Sequence, residues 1–421
     1  MMKMKKDKKI LLKNTFSLYI MNVIKLIFPL LTLPYLTRIL SKETYGAVTY
    51  VKSFITYIQL LIDFGFLLSA TKSIVNAKKD KKEIGRIVGD TLAEKTLLAL
   101  LGAVIYMVIM GFVPTMKRYY TFSILYLISI LTTIFILDFL FRGIEKMNLI
   151  TIPYTISKSM VLVLTFVFVK GDSDLLLIPL LELGGNAISA VFSFIYTKKL
   201  KFIITFSNYE KWFRDIKESC LYFISNFATT AFGALTTVVA GFYIPIDQIA
   251  CWGLCMQILS AAKALYNPIT NSLYPFMIRK RDIRFIKKIS VLMIIPMLIG
   301  SIIILLKSDF IMLIIGGEKY KESGRILKYL LPAFIFSFYS MLYGWPVLGA
   351  IEKIKETTLS TIIVSIIQIL GFIVLIIINK FNLIGLAICC SISETLLFLI
   401  RYYIFFINKN QFNIINKKQE V

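Results

Sequence analysis

The chain has 421 residues, 57% of them hydrophobic, with a mean hydropathy of +0.77, a formal charge of +24 and no histidine. Apolarity spread evenly over that length exceeds what a soluble domain can bury, which excludes a water-soluble protein. The surplus Lys and Arg sit in short loops between apolar runs, so no folded surface presents them to nucleic acid. The missing histidine removes the commonest general base of hydrolases and acyltransferases.

Apolar runs of about 20 residues recur from end to end, each long enough to cross a bilayer core. Twelve spans are predicted in chain order, at 15–38, 46–70, 90–113, 119–141, 150–169, 175–197, 219–243, 248–277, 288–306, 326–349, 358–379 and 382–407. The first follows MMKMKKDKKILLK and carries no small-residue cleavage site, so it reads as a retained helix rather than a signal peptide. The expected fold class is an all-α polytopic membrane protein. Basic stretches fall on alternate loops: MMKMKKDKK, KSIVNAKKDKKEIGR, RGIEKM, KKLKF with EKWFRDIK, RKRDIRFIKK, EKIKE and the tail. They hold most of the 48 Lys and Arg, which assigns that face, and both termini, to the cytoplasm.

The extramembrane pieces reach only about twenty residues, too short for a soluble catalytic domain. Two of them, SIVNAKKDKKEIGRIVGD and FSNYEKWFRDIKESC, are expected as amphipathic helices on the cytoplasmic surface. The second divides the chain into a first lobe over 1–200, a linker over 201–218 and a second lobe over 219–421. A weak internal echo fits that division. Lys13 and Asn22 recur as Lys217 and Asn226 at one spacing, and Pro29 and Pro34 of span one are matched by Pro268 and Pro275 of span eight. Two six-helix halves related by an axis along the membrane normal are a transporter plan. Cys220, Cys251, Cys255, Cys389 and Cys390 fall in or beside apolar spans and read as small hydrophobes. Cys251 and Cys255 share a helix face, but without histidine they lack partners for zinc, and neither metal nor cofactor is expected.

Charges inside the spans carry the functional reading, because an ionised side chain at membrane depth is costly. They are Lys25, Lys52, Asp63, Glu94, Lys95, Asp138, Lys158, Glu182, Lys263, Glu394 and Arg401. Glu94, Lys95 and Arg401 lie near cytoplasmic span ends, where snorkelling is the simple explanation. Asp138 and Arg142, four residues apart on a helix, are expected to pair. Lys25, Lys52 and Lys158 all belong to the first half. Either each is neutralised by an acid such as Asp63, Glu182 or Asp138, or together they line a cationic lumen for a phosphate-bearing substrate. Lysine is a compact cation suited to phosphate, and a dry-walled cleft focuses its field. The second half offers only Lys263 at comparable depth, with Glu394 as its neutraliser, so head-group binding is expected mainly in the first lobe.

The segment PLLTLPYLTRILSKETYGAVTYVKSFITYIQLLIDFGFLLSATKSI (29–74) resembles the opening of Wzx-type O-antigen and capsule oligosaccharide flippases. These are lipid-linked oligosaccharide transporters of the multidrug/oligosaccharidyl-lipid/polysaccharide (MOP) exporter superfamily. LDFLFRGIEKMNLI (137–150) is similar to that family's aspartate- and aromatic-rich segment, and GGEKYKESGRILKYLLP (316–332) with GAIEKIKE (349–356) gives a third match. The three cover about a quarter of the chain. Departures are Phe139 where tryptophan is common, Arg142 where glutamine is common, and a last turn without its usual glycine before Glu352.

The resemblance implies two six-helix lobes working by alternating access, with no ATP and no cofactor. The implied substrate is an undecaprenyl-diphosphate-linked oligosaccharide moved from the inner to the outer leaflet of the bacterial cytoplasmic membrane. A polymerase and glycosyltransferases of the same pathway would be partners, along with membrane lipid, and nucleic acid would not. On this reading Lys25, Lys52, Lys158 and Lys263 face substrate, while Asp63, Asp138, Arg142, Glu182 and Glu394 serve gating or ion coupling. Two rivals are a drug or cation antiporter of the same superfamily, which would need anionic lumen residues, and a membrane polysaccharide polymerase. The polymerase would need a sizeable outer loop with clustered charges, which KSDFIMLIIGGEKYKESGR does not provide.

Overall fold

The structure, a computed structural model, describes residues 2–77 and 80–419, with side chains placed over most of 13–412. Lys78 and Lys79 of the first basic loop, the side chains of the basic N-terminal run before Lys13, those of the tail and that of Pro275 lie outside the described residues. Helices account for almost everything described, and no strand is present among those residues.

In the first half these are α1 (Met2–Ile39), α2 (Lys42–Asp63), α3 (Phe66–Asn76), α4 (Lys81–Phe112), α5 (Pro114–Arg118), α6 (Tyr120–Leu131), α7 (Asp138–Gly143), α8 (Asn148–Phe168) and α9 (Leu177–Lys199). There follow α10 (Tyr209–Tyr243), α11 (Ile246–Lys280), α12 (Ile283–Leu292), α13 (Ile294–Gly316), α14 (Gly324–Tyr329), α15 (Leu331–Leu342), α16 (Ile354–Ile377) and α17 (Leu383–Gln419). Among the described residues, eleven stretches are long and apolar enough to cross a membrane, from Lys13–Ile39 to Leu383–Lys409. The twelfth expected span, 219–243, falls in α10, where the described apolar part is the shorter Gly233–Tyr243. The chain divides into two compact units, Met1–Thr230 and Ala231–Val421.

In the first unit two expected spans are interrupted helices. Span two breaks after Asp63, where Phe64 (φ 33°) and Gly65 (φ 81°) enter the left-handed region and end α2 before α3 begins. Span four passes from α6 through a 3-10 turn at Thr132–Phe135 to extended Ile136, and α7 restarts at Asp138. Hydropathy is blind to such breaks because they leave the apolar run intact. They bring backbone polar groups and an acid to membrane depth, tolerable where a cavity or a neighbouring helix receives them. Pro29 and Pro34 leave α1 continuous; Thr32 Oγ1 donates to the carbonyls of Phe28 (3.1 Å) and Pro29 (3.2 Å).

The basic loops do not form separate surface helices, which corrects that expectation. SIVNAKKDKKEIGRIVGD is split between the end of α3 and the start of α4, whose first turn Asp80 caps by accepting from Lys82 N (2.9 Å) and Glu83 N (3.4 Å). FSNYEKWFRDIKESC runs straight into α10. Residues next to a span share its helical backbone at little extra cost, since propagating a helix costs less than nucleating a new one. The RGIEKM motif closes a tight turn: Glu145 sits at φ 57°, Lys146 N donates to Phe141 O (2.8 Å), and Asn14 Nδ2 donates to Glu145 O (2.8 Å). The same turn recurs in the second unit, where Glu352 has φ 64° and Lys353 N donates to Leu348 O (2.9 Å).

Candidate functional site

Inside the first unit the helix breaks open onto a cavity of ≈ 450 Å³. Lys25 enters it from α1, Gln59 and Asp63 from α2, Lys95 from α4, Asp138 and Arg142 from α7, Tyr154 and Lys158 from α8, and Glu182 and Asn186 from α9. Asp63 and Asp138 each stand at an interruption, so the breaks aim both carboxylates inward. Thr133, Ser189, Ser193 and Asn226 add hydroxyls and an amide.

Two of the cations are neutralised locally. Lys95 Nζ lies 3.4 Å from Asp63 Oδ1, and Gln59 Nε2 donates to Asp63 Oδ2 (2.6 Å) while Gln59 Oε1 accepts from Thr133 Oγ1 (3.1 Å). Lys52 does not line the cavity; its Nζ bonds Glu182 Oε1 at 3.0 Å, and Tyr126 donates to the same oxygen at 2.9 Å. For Lys52 the geometry is therefore that of the ion-pair alternative. Lys25, Lys158, Arg142 and Asp138 take part in no ion pair within 4.0 Å among the described residues. Lys25 Nζ stands 5.3 Å from the centroid of the Tyr154 ring, and the Arg142 Nε is buried without a hydrogen-bond partner. The expected Asp138–Arg142 pair is thus not formed within 4.0 Å, although both residues line the one cavity.

With Lys95 set against Asp63 and Lys52 against Glu182, three cations of the lining, Lys25, Arg142 and Lys158, stand outside any ion pair among the described residues, as does the Asp138 carboxylate. Each lysine or arginine at membrane depth costs about 2.5–3.5 kcal/mol on insertion scales. An arrangement of this kind is suited to an anion with more than one charge. The amides and hydroxyls beside it suit hydroxyl-rich groups, and the Tyr154 face offers an apolar platform. No group of three or more His, Cys, Asp or Glu able to hold a metal is present among the described residues. Cys255 instead donates to Ser323 O (3.8 Å) and lies buried with Cys251.

Several sequence expectations change here. Glu94 and Lys95 do not snorkel: both are buried, at 2% and 6% exposure. Arg401 is also buried and spends its guanidinium on Ser340 O (2.7 Å), Thr361 Oγ1 (2.9 Å), Ser360 Oγ (3.1 Å) and Thr357 O (3.4 Å). Lys263 lies in the second unit and pairs with Glu394, which Ser340 Oγ also approaches at 3.5 Å. The sequence reading missed Gln59, Tyr126, Tyr154 and Asn186. The i,i+4 spacing of Gln59 and Asp63 on one helix was the available signal for the first.

A superposable architecture is found in solved membrane transporters. An inward-facing multidrug resistance MATE family transporter of the MOP superfamily matches with a TM-score of 0.69 at 15% identity, over 94% of this chain and 96% of that one. The lipid II flippase MurJ in an inward closed conformation gives 0.68 at 15% identity, over 95% and 89%. The fold is therefore that of the MOP exporters. The sequence profile of the polysaccharide biosynthesis protein family matches residues 11–281, more than half of the chain, which belongs to that family. Among curated relatives, a "Putative O-antigen transporter" of Shigella dysenteriae is 28% identical over 83% of this chain and 88% of its own length. One of the same name from Escherichia coli (strain K12) is 24% identical over 93% and 96%.

Proposed function

We propose that this protein is a membrane transporter, not an enzyme, which moves a lipid-linked oligosaccharide between leaflets for cell-surface polysaccharide synthesis. Family membership and transporter-named relatives support the class. The observation that supports the substrate assignment is the cavity in which Lys25, Lys158 and Arg142 stand outside any ion pair among the described residues. On this reading a diphosphate, as in an undecaprenyl-diphosphate-linked oligosaccharide, sits against those three cations. The sugars contact the amides and hydroxyls around Asn186 and Thr133, and the polyprenyl tail stays in lipid. Alternating access through two lobes, with termini in the cytoplasm, completes the scheme. An inside-negative potential favours outward movement of an anion by about 2.3 kcal/mol per charge per 100 mV, so no nucleotide hydrolysis is required.

The test is a deletion strain complemented with Lys25→Ala. The reading expects lipid-linked intermediate to accumulate and surface glycan to fall. Unchanged surface glycan with normal protein level would defeat the cationic-lumen assignment. A cation exporter, by contrast, would be impaired by Asp138→Asn and indifferent to Lys25.

A further inference from the structure

Where α11 turns into α12, in the second unit, lies a basic run that the transport scheme does not use. Residues 281–288 hold Arg281, Arg284, Lys287 and Lys288 against a single acid, Asp282. Backbone geometry makes the corner. Arg281 ends α11 in the left-handed region (φ 46°), its N–H donating to Met277 O (2.9 Å). Asp282 then caps α12, its Oδ1 accepting from Arg284 N (2.8 Å) and Phe285 N (3.1 Å).

The corner leaves Arg281 9% exposed, with Nε and Nη1 buried and without a hydrogen-bond partner among the described residues. Asp282 does not compensate it, since neither residue takes part in an ion pair within 4.0 Å among those residues. A buried guanidinium short of acceptors is costly, and an anion brought to the corner would relieve it.

The surroundings indicate what kind of anion fits. Ile286, 1% exposed, packs with Ile283 and Ile289 on the core that includes Leu273, Met277 and Phe412. Arg284, Lys288, Val291 and Leu292 follow one another at helical spacing and form a stripe away from that core. All four are exposed, Val291 at 64% and Leu292 at 62%. Within α12 the stripe therefore passes from basic to apolar, and it leads into α13 along the membrane-span candidate Ile283–Gly316. A soluble anion would match the cations and leave Val291 and Leu292 unmatched. An amphiphile with an anionic head and an apolar chain matches both parts.

We propose that the α11–α12 corner binds an anionic phospholipid, its phosphate held by Arg281, Arg284 and Lys288 and its acyl chain lying along Val291 and Leu292. With the orientation given under Proposed function, the lipid belongs to the cytoplasmic leaflet, whose anionic lipids attract such basic segments.

The test is native mass spectrometry of the full-length protein in detergent, titrated with dioctanoyl phosphatidylglycerol and with dioctanoyl phosphatidylcholine. It reads lipid class at this corner whichever way the chain is oriented. Phosphatidylglycerol is expected to bind about 10-fold more tightly, a difference that one charge-assisted contact supplies. Arg284→Gln with Lys288→Gln should abolish that preference, as should Arg281→Gln. The exposed pair keeps the test valid if the buried substitution fails to fold. Lys198→Gln with Lys199→Gln, which removes the same charge at the end of α9, should leave the preference intact. Equal binding of the two lipids, a preference that survives Arg284→Gln with Lys288→Gln, or an equal loss at Lys198 and Lys199 would overturn the proposal. Displacement of phosphatidylglycerol by an equal concentration of inorganic phosphate would overturn it too, because a lipid site draws on the apolar stripe.

Discussion

Each half of this protein carries an equivalent ion pair between its second and sixth spans, and what surrounds that pair differs. Lys52 of the second span meets Glu182 of the sixth, with the Tyr126 hydroxyl on the same carboxylate. Lys263 and Glu394 stand in the equivalent order in the second unit, with the Ser340 hydroxyl nearby. In the second unit the buried Arg401 is spent on four oxygens of the unit itself, while Arg281, buried at the end of α11, keeps Nε and Nη1 without a hydrogen-bond partner among the described residues. In the first, Lys25 rests on an aromatic face and the Arg142 Nε has no hydrogen-bond partner among the described residues. The pair thus acts as structure in both halves. The first half adds a cavity in which Lys25, Lys158 and Arg142 stand outside any ion pair among the described residues, and such a group is where an anionic ligand would be bound.

The largest stability effect is expected from breaking the better-buried pair. Glu394 is 5% exposed in its side chain, against 27% for Glu182, so Glu394→Ala should cost about 3–5 kcal/mol by removing the buried carboxylate bonded to Lys263. Glu182→Ala should cost less, because water screens a pair whose lysine is 42% exposed. Thermal unfolding of both variants in detergent checks the order; equal losses would break the comparison. Replacing both partners at once, as in Lys263→Met with Glu394→Leu, should recover most of the loss, since a well-packed apolar pair is close to neutral. A Cβ on Gly89 would come within 2.1 Å of Thr205 O, so Gly89→Ala should release Trp212, whose Nε1 donates to Asp90 (3.0 Å), shifting its fluorescence while leaving both ion pairs intact. The smallest stability effect is expected at Lys25. Lys25→Ala should move the melting temperature hardly at all, within about 0.5 kcal/mol, because no partner is stranded. A large loss there would make Lys25 structural and erase the contrast between the halves.

Much of this was legible in the sequence. Apolar run length located the spans, and the Lys263–Glu394 pairing followed from their being the two opposite charges at depth in the second half. Lys52 and Lys263, like Glu182 and Glu394, stand almost the same distance apart in the chain, a clearer repeat than the Lys13/Lys217 echo. What was not legible depends on backbone direction and three-dimensional neighbours. The breaks at Phe64–Gly65 and before Asp138 leave hydropathy unchanged, yet they decide that Asp63 and Asp138 face the cavity. Arg401 read as a snorkelling end residue because its partners are hydroxyls and carbonyls, which carry no charge signal. Asp90 accepts from Ser207 N (2.6 Å), more than a hundred positions along the chain and beyond the reach of any local pattern.

The central claim is that Lys25, Lys158 and Arg142 form an anion site for a diphosphate. It is tested most directly by titrating the purified protein with a short-chain polyprenyl diphosphate and the matching monophosphate. The account predicts tighter binding of the diphosphate. It also predicts that Lys25→Ala weakens that binding about 10- to 100-fold, the equivalent of one charge-assisted contact of about 1.5–3 kcal/mol. Equal affinity for the two lipids, or Lys25→Ala binding as tightly as the natural protein, would contradict it.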